Sequence, residues 1–255
     1  VGMPNVGKSS LTNALLQKEQ SIVTPIAGTT RDSIDSYLKY YGKTITLVDT
    51  AGLRKRSKVS DSIEFYSTVR TQRAILNSDV VLVLIDAIKG FSKQDKTIID
   101  EVITKGKGLV LIVNKWDLVD KDTHTMKDFS DEIAYQFKSL THYPTMYISA
   151  LTKQRVSKVL NVANKVFKDR QVMISTAKLN KFLKDVIRQQ SPPATSGKVI
   201  NLKYMTQVNV GPHLFVIFTN YPKLVPTSYK RFIENQLREN FDLLGVPIRI
   251  SFRKK

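Results

Sequence analysis

Gly2 and Gly7, the latter followed directly by Lys8 and Ser9, stand at the Gly-x4-Gly-Lys-Ser spacing, which suits the binding of a polyphosphate. Glycines at these two places let the backbone curl until successive N–H groups converge on an anion, and a helix starting there adds the positive end of its dipole. The Lys8 ammonium would bridge the β- and γ-phosphates, and the Ser9 hydroxyl would ligate magnesium. Asp49-Thr50-Ala51-Gly52 complements that loop. Its carboxylate can hold magnesium through water, and the Gly52 N–H can sense a γ-phosphate.

The base is specified further along the chain, by Asn114-Lys115-Trp116-Asp117. A carboxylate at Asp117 accepts from two donors at once, which guanine offers through N1–H and its exocyclic amine. Adenine has no such pair and would leave a desolvated charge unmatched. Asn114 can meet the purine N7 edge or brace the phosphate loop, and the stem of Lys115 can cover one face of the base. Ser149-Ala150 would present a backbone N–H to guanine O6. Together these motifs, in this order, predict a P-loop domain for guanine nucleotides.

Such groups converge only if strands deliver them to one edge of a sheet. Thr44–Val48, Val80–Ile85 and Leu109–Val113 are compact apolar runs, with Tyr147-Ile148 a weaker fourth, and each leads into a polar or glycine-containing loop. Helical stretches are expected over 11–16, 62–77, 92–105 and 128–140. Buried strands alternating with helices predict an α/β fold, a doubly wound P-loop GTPase sheet with ligands at the carboxyl ends of the strands. Its first strand is truncated, because Val1 runs straight into the phosphate loop. From about residue 170 the pattern changes to a helix over 176–190, stopped by Ser191-Pro192-Pro193. Strands over 199–205 and 214–219, a helix over 227–241 and a strand over 248–252 follow. This is a small α+β unit, so two domains are expected, residues 1–170 and 171–255.

Charge points to a polyanionic partner. The 255 residues carry 40 basic and 22 acidic side chains, a net charge of +18, which suits nucleic acid, an anionic membrane or a ribonucleoprotein. Residues 171–255 hold 14 of the basic and 4 of the acidic ones, so a third of the chain carries more than half of the excess. The absence of cysteine excludes disulfides, thiolate-held metals and a thiol nucleophile. His124, His142 and His213 are too far apart for a local metal motif. No apolar run approaches the ~18 residues of a bilayer span.

The phosphate loop (Gly2-Met3-Pro4-Asn5-Val6-Gly7-Lys8-Ser9-Ser10-Leu11), the segment Ala27-Gly28-Thr29-Thr30-Arg31-Asp32, the run Asp49-Thr50-Ala51-Gly52-Leu53 and the Asn-Lys-Trp-Asp tetrad resemble the Era/TrmE/Der group of GTPases. Gly52-Leu53-Arg54-Lys55-Arg56, the tetrad and the C-terminal unit narrow the resemblance to the Der (EngA) family, whose members carry two GTPase domains followed by a KH-like domain. The likeness runs through essentially the whole chain, as second GTPase domain plus KH-like domain. It implies an upstream GTPase domain in the parent protein. It also implies GTP hydrolysis to GDP and phosphate, with assembly of the large ribosomal subunit as the client process and that subunit or its rRNA as the partner. The setting would be bacterial cytoplasm, or an organellar stroma or matrix.

For the site, the resemblance makes Thr30, rather than its neighbour Thr29, the magnesium ligand of the first switch, beside Ser9 and Asp49. Leu53 stands where Ras-type enzymes carry a water-positioning glutamine. Relatives with the loop asparagine use potassium in place of an arginine finger, which would make Asn5 a K⁺ ligand. Lys8, Asn5, Thr30 and Gly52 would then carry catalysis. The alternative for Asn5 is an amide that braces its own loop, and Arg31 is expected to serve the switch structurally. The basic run 54–58 is either a solvated loop or a phosphate-backbone contact. The C-terminal unit departs from RNA-clamping KH domains in lacking Gly-x-x-Gly, since Gly197, Gly211 and Gly245 are far apart. Its basic residues Lys230, Arg231, Arg238, Arg249, Arg253, Lys254 and Lys255 would dock duplex RNA or a ribosomal surface instead. The competing function is an RNA- or ribosome-binding module in which GTP is a conformational ligand with little turnover. An Era-like GTPase is a third reading, disfavoured by the missing clamp.

Overall fold

A computed structural model describes residues 1–18, 35–48, 63–120 and 122–254, with the side chains of residues 18 and 63–68 excepted. The chain divides into two compact units, residues 1–105 with 109–164, and residues 165–255 with 106–108. Among the described residues no helix is long and apolar enough to cross a membrane.

In the first unit, helix α1 (Lys8–Lys18) follows the phosphate loop, and strands β1 (Ser36–Tyr40) and β2 (Lys43–Leu47) form an antiparallel hairpin. Next come α2 (Ile63–Asn77), β3 (Val80–Asp86), α3 (Lys93–Thr104), β4 (Gly108–Asn114), α4 (Thr125–Gln136), β5 (Thr145–Tyr147) and α5 (Val156–Asp169). Strands β3, β4 and β5 lie side by side in that order, with β4 and β5 parallel. Gly2 bridges Leu84 in parallel on β3, and the Leu84 N–H donates to Val1 O at 2.9 Å. The phosphate loop therefore leaves the sheet beside β3. Every residue of β4 is buried, as a strand covered on both faces requires. Ile75, Val83, Ile85, Ile99, Leu111 and Val113 pack into one core. Helix α3 starts at a capping box in which Ser92 and Asp95 satisfy each other's backbone N–H.

The expected strands and helices of this unit are present with ends moved by a few residues, but the strand expected at 44–48 as a buried one is half-exposed and pairs antiparallel with β1. The α1 helix begins at Lys8 rather than Leu11, because the loop's last glycine, Gly7, is already its N-terminal neighbour. The span expected as one helix over 128–140 is α4 and then a separate 3-10 turn, Lys138–His142. Strand β1 and helix α5 had no counterpart in the expectation.

The second unit holds α6 (Thr176–Gln189), β6 (Leu202–Asn209), β7 (His213–Thr219), α7 (Thr227–Asn240) and β8 (Ile248–Lys254). Strand β7 is central, antiparallel to β6 and parallel to β8. Leu179, Phe182, Leu183 and Val186 of α6, with Tyr229, Ile233 and Leu237 of α7, cover one sheet face against Met205, Phe215, Ile217 and Ile250.

One buried polar network ties the sheet to the segment before α6. His213 is fully buried; its Nε2 lies 2.9 Å from the Asp169 carbonyl and its Nδ1 2.9 Å from Gln207 Nε2. A carbonyl only accepts, so Nε2 carries the proton and Nδ1 accepts from the amide. Gln207 Oε1 in turn accepts the Ile174 N–H at 2.8 Å. Burial pulls the His213 pKa below its ordinary 6.5, and the nearby Arg238 and Arg170 charges add to that against the Asp169 carbonyl. The unfolded chain therefore takes up this proton first. Stability should be level above the unfolded pKa of 6.5, and below it should fall by up to about 1.4 kcal/mol per pH unit. Thermal unfolding at pH 7.5 and 5.5 checks this, since His213→Asn should lose that part of the acid sensitivity.

Candidate functional site

The phosphate loop has left-handed backbone at three of its residues, Gly2 (φ 141°), Asn5 (φ 63°) and Gly7 (φ 96°). Two of these positions admit no side chain. A Cβ on Gly2 would lie 2.4 Å from Leu84 O, and one on Gly7 would lie 2.1 Å from Asn114 Nδ2. Helix α1 begins at once, its first loop-anchored bond running from the Leu11 N–H to Gly7 O at 2.9 Å. The N–H groups of Lys8, Ser9 and Ser10 thus have no acceptor within the helix and aim at the loop's concavity. The Lys8 ammonium donates to Gly2 O at 2.8 Å and Met3 O at 2.7 Å, so it arches over the loop from behind. Burial draws its pKa below the usual lysine value. Orphaned donors, a cation and a cradle that a single Cβ would fill fit a phosphate chain.

Asn114, at the end of β4, is almost wholly buried and both ends of its amide are engaged. Nδ2 donates to Val6 O at 2.8 Å, and Oδ1 accepts the Ala150 N–H at 2.9 Å. Of the two roles open to it, the structure displays the brace. It also clamps Ser149-Ala150, whose Ala150 N–H is spent on Asn114, while the Ser149 N–H goes to Gln154 O at 3.2 Å.

The tetrad turns sharply after Asn114. Lys115 is left-handed (φ 64°) and Trp116–Leu118 form a 3-10 turn, with the Trp116 N–H on Ile148 O at 3.0 Å. This turn leaves Asp117 half-buried at the surface. Trp116 points the other way, into an aromatic cluster with Tyr147 at 4.5 Å and Phe129 at 5.8 Å between ring centroids. Its indole is core, and the tetrad serves a base through its neighbours.

Asp86, at the end of β3, was not among the expected site residues. Its carboxylate takes the Lys115 ammonium at 2.6 Å and the Ile88 N–H at 3.0 Å. Burial alone would raise its pKa. The Lys115 hydrogen bond and charge, with the Ile88 and Lys89 N–H groups, outweigh that and hold it low. Lys115, two residues before Asp117, is thereby anchored at its tip. The available signal was an acid at the end of an apolar strand, the same signal that marked Asp117's tetrad.

Thr30, Asp49, Thr50, Ala51, Gly52 and Leu53, with Ala27 to Arg31 and Arg54 to Lys58, lie outside the described residues. Of the expected magnesium ligands, Ser9 is described, half-buried in the first turn of α1. Among the described residues no three His, Asp or Glu side chains gather as a metal cage. Asn5 is exposed at the loop's crown. In the second unit, Arg238 is withdrawn from the expected basic surface. Its side chain is 9% exposed and its guanidinium serves Glu234, Leu243 O and Val246 O.

Residues 1–115 match the family described as 50S ribosome-binding GTPase, and residues 173–253 match the KH-domain-like family at the C-terminus of EngA bacterial GTPases. Over its full length the chain is 49% identical to GTPase Der of Chlorobium phaeobacteroides and 48% identical to GTPase Der of Amoebophilus asiaticus. It spans 59% of the length of each. Among solved structures, Era of Aquifex aeolicus bound to GDP and aluminium fluoride matches all of this chain and 91% of its own, at 20% identity and a TM-score of 0.50. That likeness concerns the fold.

Proposed function

We infer function from one premise: the chain belongs to the Der (EngA) family of GTPases. It binds GTP and GDP at the loop of residues 2–10 and hydrolyses GTP to GDP and phosphate. The observation that carries this reading is Asn114, which holds the phosphate loop at Val6 and the loop of Ser149-Ala150 with one side chain. A site so joined reads a purine and a polyphosphate as one ligand. The first-turn N–H groups of α1 and the Lys8 ammonium take the phosphates, and Lys8 offsets charge that grows on them during cleavage. Asp117 selects guanine, and the Lys115 stem steadies its ring. Ser9, with Thr30 and Asp49, would hold magnesium, which supplies charge neutralisation between the phosphates.

Asn5 is proposed as a potassium ligand, supported by its exposed amide on left-handed backbone at the crown of the loop. GTP turnover should be slow in sodium chloride and several-fold faster in potassium chloride at equal ionic strength, with Asn5→Ala losing the difference. Equal rates in the two salts would remove Asn5 from that role. Measuring ATP turnover beside GTP tests the whole assignment, because equal use of both sinks it.

The proposed partner is the large ribosomal subunit or its rRNA, in the course of its assembly. Support comes from the family described as 50S ribosome-binding and from the 14 basic and 4 acidic residues of 171–255. Each phosphate contact contributes ~0.9 to the salt slope on a B-form duplex, so a few contacts make binding fall steeply with salt. Co-sedimentation with large subunits at increasing potassium chloride should show that fall, and should differ between GDP and a non-hydrolysable GTP analogue. Sedimentation indifferent to salt removes the electrostatic account.

A further inference from the structure

The sheet of the second unit has two faces, and the helices cover one. Cross-strand register sorts the other. Tyr204 stands opposite Phe218 and Phe218 opposite Arg253, so these three form one row across β6, β7 and β8. Met205, Ile217 and Phe252 form the next row and point the opposite way, into the core. Tyr204 is 41% exposed, Phe218 is half-buried and Arg253 is exposed. The two rings lie 6.0 Å apart between centroids, tilted by 46°. At the same end of the sheet, Lys198 sits 5.0 Å over the ring of Tyr221, which is itself 36% exposed.

Charge in these three strands is one-sided. No Asp or Glu occurs in β6, β7 or β8, while Lys203, Arg249, Arg253 and Lys254 do. The four acids of residues 171–255 are Asp185, Glu234, Glu239 and Asp242, on or just after the helices. Asp185, Glu234 and Asp242 pair with Arg188, Arg238 and Lys165. Aromatic side chains at the surface of a sheet whose own strands carry cations and no carboxylate suit a polyanion that also offers flat apolar faces. A duplex hides those faces inside its stack, whereas an unpaired strand presents them.

We propose that the exposed end of this second face of the β6–β7–β8 sheet, past the buried Val216, binds an unpaired stretch of RNA, Tyr204 and Phe218 stacking on bases and Arg253 meeting a phosphate. This rests on the ribosomal reading above and adds to it a binding mode that does not need the missing Gly-x-x-Gly clamp. Stacking tolerates every base, so little sequence preference is expected.

The test is fluorescence anisotropy of the full chain with a labelled oligouridine decamer and with a short RNA duplex, over a range of potassium chloride. Tyr204→Ala should weaken decamer binding about tenfold, a loss inside the range of about 1–3 kcal/mol per stacked base, and leave duplex binding and the salt slope unchanged. Tyr204→Phe should retain decamer binding. Arg253→Gln should lower the single-strand salt slope by about 0.7, the loss of one phosphate contact. Decamer binding untouched by Tyr204→Ala and Arg253→Gln overturns the proposal and leaves the ribosomal reading standing. Failure to bind any RNA or any ribosomal particle removes both. Large-subunit sedimentation lost in Tyr204→Ala, from a chain that ignores the decamer, would place a ribosomal protein on this face and overturn the proposal.

Discussion

Asp117→Asn should lose at least a hundredfold in affinity for GTP and GDP and gain affinity for xanthosine nucleotides. Xanthine carries a carbonyl where guanine carries its exocyclic amine, so it needs a donor from the protein where guanine needs an acceptor. The asparagine amide supplies that donor. A hundredfold is about 2.7 kcal/mol, within reach of losing charge-assisted hydrogen bonds at a desolvated edge. The change should be confined to base choice. Asp117 sits half-buried on a 3-10 turn whose fold depends on Trp116 beneath it and on the Trp116 N–H to Ile148 O, and neither involves the carboxylate. Titrating the protein and the variant with labelled GDP, XDP and ADP checks it. A variant that still prefers guanine would move base recognition away from Asp117.

Lys8→Ala should reduce single-turnover GTP hydrolysis by roughly 10²–10³, the usual loss when one donor to developing charge is removed. The ammonium has no substitute among the described residues, because the other contributions at the loop are backbone N–H groups of fixed direction. Two carbonyls, Gly2 O and Met3 O, also lose the donor that now caps them. The variant's loop should therefore be somewhat less stable, by about 1–2 kcal/mol, and a thermal melt must be read beside the rate. Hydrolysis within tenfold of the unmodified protein would contradict the role given to Lys8.

What was legible in the sequence and what was not divides along a physical line. Strands β3 and β4 are legible as unbroken apolar runs because both faces are covered, and the Asn-Lys-Trp-Asp tetrad is legible because it follows β4. Helix α5 was there to be read, with Val156, Val159, Leu160 and Val166 all buried on one side, but it follows a polar stretch, 152–155, that looks like continuing loop. Strand β1 alternates in burial, as a hairpin strand should, over only five residues, too few for the period to stand out. The Asp86–Lys115 pair joins residues 29 positions apart, and only the neighbouring strands bring them together. Arg238 reads as surface charge in the sequence because nothing local says buried. Its partners Leu243 O and Val246 O belong to the turn after α7. For Asn114 the residue type allows two roles, and only its burial between Val6 O and the Ala150 N–H displays the brace.

That asparagine has a consequence for pieces of the ligand. Both ends of its amide are satisfied within the protein, so the distance between the base side and the phosphate side of the site is set before anything arrives. Guanosine alone and pyrophosphate alone should each find their half already shaped, and each should bind weakly, because a fragment gives up its own freedom of motion for half of the contacts. Joined through one ribose, the second half meets its subsite at the high local concentration fixed by the first. A nucleotide should therefore bind far more tightly than the two fragments mixed together. Cutting the amide strut, by contrast, would let the halves drift and turn that chelate back toward two weak, independent encounters.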